Sequence, residues 1–252
     1  MTTSPVKAQA FIALIIVLGL CELGNAVVSA HALTFAVRFV SFLLMACLAA
    51  RLKVKLPGLT GSMSVNLPFI LVSVVEMSMI EALIVGCFSN LIQSLPRRKQ
   101  KFSLVRTAFN FSTMALAVEA THLIYGSSAI TASVASLSLR LAIATAGFFL
   151  VNTVPTAIVI FLTEGKNAIR TWLEMCELSF PYFVASAGVA GIVLTLAARA
   201  EWQVPTVILL LMIGVFYSYR RYFSLPSQLF VDAQRKPSSS EPTMEHSGEA
   251  RA

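Results

Sequence analysis

The stretch LKVKLPGLTGSMSVNLPFIL, Leu52 to Leu71, decides how this 252-residue chain is threaded. Arg51, Lys53 and Lys55 lead into Pro57-Gly58 and Gly61-Ser62. An apolar run follows at once, broken by Asn66 and Pro68. Proline and glycine stop a helix, whereas the apolar run after them asks for burial. The stretch therefore reads as a basic turn at a membrane edge, followed by a partly unwound entry into a third helix.

The rest of the chain supplies the membrane. Hydrophobic residues make up 57% and charged residues only 12%, and the mean hydropathy is +0.79. That balance lies outside ordinary soluble domains. Apolar runs long enough to cross about 30 Å of hydrocarbon recur along the sequence. The expected fold is all-α, a polytopic transmembrane helix bundle of about eight spans (six to eight). They are placed near residues 8–28, 32–50, 59–77, 79–95, 104–125, 136–163, 178–198 and 204–219. No segment alternates over the length a β-barrel strand needs. The bundle is expected over 1–222, with an amphipathic segment on the cytoplasmic surface near 164–177. A largely disordered cytoplasmic tail is expected over 223–252.

Charge fixes the expected orientation. With both termini inside, every Lys and Arg except Arg38, Arg140 and Arg199 falls on the cytoplasmic side. That matches the enrichment of basic residues in cytoplasmic loops, so the arrangement is N-in/C-in. It also makes residues 59–95 a helical hairpin turning near Met77 to Met79. The net charge of +7 is thereby explained without nucleic acid. The N-terminal apolar run could be read as a signal peptide cleaved after Ala30, but Glu22, Gly24 and Asn25 interrupt it too early. An uncleaved first helix is expected. Cys21, Cys47, Cys87 and Cys176 stand alone, suggesting neither a disulfide framework nor a zinc site.

Ionisable groups at membrane depth are costly, so they are the first place to look for a site. Glu22, His31, Arg38, Glu76, Glu81, Glu119, His122 and Arg140 all fall in the outer half of this topology. They read either as an outward-facing pocket for a small polar ligand or cation, or as interfacial groups and structural ion pairs. Glu119 and His122, spaced i,i+3, share one helical face as carboxylate–histidine metal ligands do. Further ligands would have to come from elsewhere in the fold, and no metal or cofactor is expected. A second set, Asn66, Asn90, Gln93, Asn110 and Asn152, lies toward the cytoplasmic half. Amides there serve as hydrogen-bonding glue between helices, or line the inner end of a cavity. No nucleophile elbow, zinc-protease helix or phosphate loop is present, so no enzyme is expected.

LPGLTGSMSVNLPFIL, EALIVGCFSNLIQSL, FNFSTMALA, VNTVPTAIVIFL and FYSYRRY together resemble the membrane-associated sensor regions of bacterial signalling proteins. Such regions commonly precede cyclic-di-GMP cyclase or phosphodiesterase domains, or histidine kinases. The pattern is also similar in style to the S components of energy-coupling-factor vitamin transporters. The resemblance covers roughly residues 10–222 and implies a ligand-sensing bundle with no catalytic residue. It departs from the sensor pattern after Tyr222, where only a polar stretch follows. It departs from the S components in the first helix, where AFIA at 10–13 has the wrong spacing for an A-x-x-x-A docking surface. The expectation is a non-enzymatic integral protein of the inner membrane. Its partners would be the lipid bilayer, a small ligand from the outer side, and a cytoplasmic signalling protein or transporter ATPase module. A small-molecule transporter or its substrate-binding subunit is the alternative.

Overall fold

The computed structural model of the chain describes residues 6–29, 37–55, 62–95, 103–196 and 203–235. Helix α1 runs Val6–Val28 and α2 runs Val37–Arg51. A short antiparallel pair follows, β1 (Lys53–Lys55) against β2 (Ser62–Ser64), with Lys53 opposite Ser64 and Lys55 opposite Ser62. Then come α3 (Leu67–Glu76), α4 (Met79–Ser94), α5 (Leu104–Gly126) and the short α6 (Ser128–Ser133). The chain continues with α7 (Leu137–Glu164), α8 (Ala168–Leu196) and α9 (Gln203–Arg235).

The opening stretch is thus not an unwound helix end. Pro57 and Gly58 lie outside the described residues, but the backbone on either side of 56–61 pairs as a hairpin. That pairing satisfies the N–H and C=O groups which irregular backbone at a membrane edge would leave exposed. Helix α3 starts only at Leu67, with Pro68 in its first turn, where a missing N–H costs nothing. The helix then has ten residues, about 15 Å at 1.5 Å per residue, against roughly 30 Å of hydrocarbon.

Short as it is, α3 forms the centre of the bundle. Every residue from Leu67 to Val74 is buried, and α2, α4, α5, α8 and α9 all pack against it. A helix apolar all round needs neighbours on every side, and that is what this one has. Phe42 of α2 meets Phe69 edge-on, with ring centroids 6.4 Å apart. The bundle's exterior is apolar too: Leu14, Leu20, Leu44, Leu48, Phe180 and Leu210 are exposed. An exposed apolar surface of this extent suits lipid rather than water.

Among the described residues, three helices are long and apolar enough to cross a membrane: Val6–Val28, Leu137–Glu164 and Ala168–Thr195. The segments Leu67–Glu76, Met79–Ser94 and Gln203–Ser218 are apolar but shorter. The count expected from the sequence treats each apolar run as a full traverse, and several runs are too short for that.

From Ala168 the segment 164–177 forms the first turns of α8. Trp172 and Cys176 pack on the core, while Ile169 and Leu173 stay exposed. Helix α9 continues to Arg235, into the part expected to be tail. Gly165 ends α7 with φ +69°, the left-handed conformation in which glycine is least strained.

Candidate functional site

The five amides converge. Asn66, Asn90, Gln93, Asn110 and Asn152 all line one cavity of about 580 Å³. It lies at the end of the bundle where α3, α5 and α8 begin and α4 and α7 finish. Ile70, Met114, Phe148 and Phe183 give it apolar walls, and Thr153, Thr156 and Tyr182 add hydroxyls.

One side of the cavity is fixed by hydrogen bonds. Asn66 donates to the Ser89 hydroxyl at 2.8 Å and accepts from Ser64 at 2.6 Å. The Ser64 hydroxyl also meets the Gln93 amide at 2.8 Å. The Tyr182 hydroxyl donates to the Ser64 carbonyl at 2.7 Å and accepts from the Leu67 N–H at 3.2 Å. A single tyrosine on α8 thereby pins the junction between β2 and α3. Hydrogen bonds of this kind between membrane helices are worth about 0.6–2 kcal/mol each.

The opposite wall is not tied in this way. Among the described residues, the carboxamides of Asn110 on α5 and Asn152 on α7 find no protein partner. Both residues are half-buried positions of the cavity lining, so their carboxamides are open to whatever fills it. The neighbouring wall is anchored, because the Trp172 indole N–H donates to Thr153 at 3.0 Å. Charge is confined to the rim, where Arg106 and Glu164 are exposed. Glu164 pairs with Lys166 at 2.7 Å and holds that ammonium above its ordinary pKa.

The outer cluster is brought together only in part. Glu22, Glu119 and His122 line a second, smaller cavity of about 390 Å³ with Asn25, Ser29 and Ser78. Glu22 on α1 and Glu119 on α5 interact electrostatically at this cavity. The His122 Nδ1 lies 3.3 Å from the Val74 carbonyl. Among the described residues, no three His, Cys, Asp or Glu side chains are grouped to hold a metal.

Arg38, Glu76, Glu81 and Arg140 are not among the residues lining that smaller cavity. Arg38 forms an ion pair with Glu76 between the ends of α2 and α3. Glu81 accepts from the Ser78 N–H at 3.0 Å and its hydroxyl at 2.7 Å, closing a capping box at the start of α4. The Arg140 guanidinium lies 5.5 Å from the centre of the Tyr125 ring. His31 lies outside the described residues.

The two cavities do not stack into one path. Asn110 and Glu119 are separated by about two and a half turns at 3.6 residues per turn, so they project from opposite sides of α5. Sequence reasoning passed over Tyr182, Thr153, Thr156 and Ser179. Their signal was local: each stands close to a proline inside a helix, Pro155 in α7 or Pro181 in α8. A proline there leaves the carbonyl four residues earlier unbonded. Prolines in transmembrane helices are tolerated where neighbouring groups meet the freed backbone. No family model, curated protein or solved structure matches this chain.

Proposed function

We propose that this is a non-enzymatic, multi-pass protein of the bacterial inner membrane, whose helical bundle binds a small molecule in the amide-lined cavity. The observation that carries the proposal is the convergence of five amides on one cavity, with Asn110 and Asn152 unpaired among the described residues. Ligand sites in bundles lie between helices and combine apolar walls with a few placed polar groups. The resemblance to sensor regions agrees with this reading. In it, α2, α3, α4, α5 and α9 sit in the membrane beside the three long helices, N-in/C-in, giving about eight crossings or partial crossings.

The cavity end carries Lys7, Arg51, Lys53, Arg106, Lys166 and Arg170, and basic residues favour the cytoplasmic side. The ligand site then faces the cytoplasm, away from the outer cluster on which the charges alone concentrate attention. A cytoplasmic signalling protein is the expected recipient of the bound state. Transport would need the two cavities joined, and their placement on opposite sides of α5 speaks against a shared path.

Native mass spectrometry of the protein purified in mild detergent tests the proposal. A small molecule is expected to stay bound to the wild type and to Glu119→Gln, and to be lost from Asn110→Ala/Asn152→Ala. Retention in the double variant with loss in Glu119→Gln would move the site to the outer cavity. No bound species in any of the three, with no thermal stabilisation by a metabolite extract, would remove the binding role.

A further inference from the structure

The inner surface of the larger cavity restricts what it can hold, given the binding role proposed above. Size comes first: about 580 Å³ is in the range of pockets for organic ligands and far more than a lone ion needs. Charge comes second. Among the described lining residues only Arg106 and Glu164 are ionised, and both stand at the exposed rim. An ionic ligand deeper inside would be desolvated without a counter-charge, which proteins rarely tolerate.

The unpaired amides add a third restriction. A carboxamide presents a carbonyl acceptor and two N–H donors in one plane, so it reads an edge that carries both kinds of group. An acyl chain would leave Asn110 and Asn152 as unpaired as they are now. The fourth restriction is the aromatic wall. Phe148 and Phe183 are 6.1 Å apart between ring centroids, and Tyr182 stands edge-on to Phe183 at 5.8 Å. The Tyr182 hydroxyl is held at both ends of its hydrogen-bonding capacity, so this wall is set before any ligand arrives.

We infer that the cavity takes an uncharged, planar heterocycle whose edge offers both hydrogen-bond donors and acceptors. Its ring face lies against the Phe148–Phe183 wall, and its edge is read by Asn110 and Asn152. Nucleobase-sized and tricyclic rings both meet these conditions.

Equilibrium dialysis of the full chain in lipid nanodiscs tests the inference. The probes are adenine and lumichrome as neutral donor–acceptor rings, naphthalene as a planar ring without a polar edge, benzoate as a charged ring, and glucose. Saturable binding of adenine or lumichrome is expected, weakened about tenfold or more by Asn110→Ala and by Asn152→Asp, a loss of at least about 1.4 kcal/mol. The Asp variant keeps the shape of the side chain, so its loss of binding does not depend on a cavity being emptied. Adenine or lumichrome binding that both substitutions leave unchanged would overturn the inference, as would naphthalene binding equally well. Benzoate or glucose bound in preference, and lost on the same substitutions, would overturn the ligand class yet leave the cavity as a binding site. No binding of any probe, together with no co-purified molecule, would remove both.

Discussion

Gly19 and Gly24 stand on the same helix and have opposite duties. A Cβ built on Gly19 would lie 2.5 Å from the Ser112 Cβ and 2.8 Å from its carbonyl oxygen, whereas one on Gly24 meets nothing within 4 Å. Gly19 is the point where α1 closes on α5, in the way small residues bring membrane helices together. Gly19→Ala should destabilise by about 1–3 kcal/mol, the usual cost of overpacking. Gly24→Ala should be neutral or mildly stabilising, since Ala favours helix over Gly by up to ~1 kcal/mol. Thermal unfolding in one detergent ranks the two, and the reverse order would mean that α1 does not pack here. At Tyr182 the prediction is chemical rather than steric. Tyr182→Phe leaves the Ser64 carbonyl and Leu67 N–H without their partner and should cost about 1–3 kcal/mol. Wild-type stability in that variant would show that other groups hold the β2–α3 junction. The residue types at these positions were legible in the sequence. Their neighbours were not, because Gly19 and Ser112, or Ser64 and Tyr182, are joined only by tertiary approach.

The helices beside the cavity are interrupted on purpose-built terms. Pro155 in α7 leaves the Val151 carbonyl without its helical donor, next to Asn152 and Thr156. Pro181 in α8 does the same to Glu177, next to Ser179 and Tyr182. Both carbonyls lie at the level of the cavity lining. Pro155→Ala should strengthen α7 by up to ~3 kcal/mol, and amide hydrogen exchange across 150–158 should slow. Unchanged exchange would show that Pro155 causes no local loosening. The hairpin before α3 shows the opposite limit of sequence reading. KVK and SMS do alternate, but three residues are too few to distinguish strand period from chance. The helical elements were legible because apolar runs persist over many turns. Their lengths were not, because hydropathy does not say whether a short run meets lipid or protein.

At the scale of the molecule, polar groups gather in two compartments at opposite ends and on opposite sides of α5. In the proposed N-in/C-in arrangement the amide-lined end faces the cytoplasm, the side that basic residues favour. In a cysteine-free background, Ser103→Cys at the start of α5 should be labelled by a membrane-impermeant reagent only in inside-out vesicles. Ser127→Cys, just past its end, should be labelled in intact spheroplasts. Labelling in the reverse pattern would invert the topology and place the cavity outside. Of the candidate site, the list of amides was legible in the sequence as a set sharing one half of the bundle. Their convergence was not, since Asn66, in the turn before α3, and Asn152 on α7 come to one cavity only after the whole chain has packed.

Composition and run length by themselves determined that this chain is helical and carries segments apolar enough for a membrane, because burying apolar surface does not depend on fine geometry. The distribution of basic residues gives the N-in/C-in orientation as an expectation, which the labelling experiment tests. Only the tertiary structure decided what each segment does with its burial. The interrupted run after Asn66, the weakest span by sequence, became the central helix, since the protein around it supplies the apolar surroundings that lipid would otherwise provide. Tertiary packing likewise set Arg38 on Glu76 and Glu81 on Ser78, and left Asn110 and Asn152 facing an open cavity. Which polar group is satisfied by a neighbour and which is left open to a cavity is fixed by side-chain approach across helices, and the order of residues along one chain does not contain it.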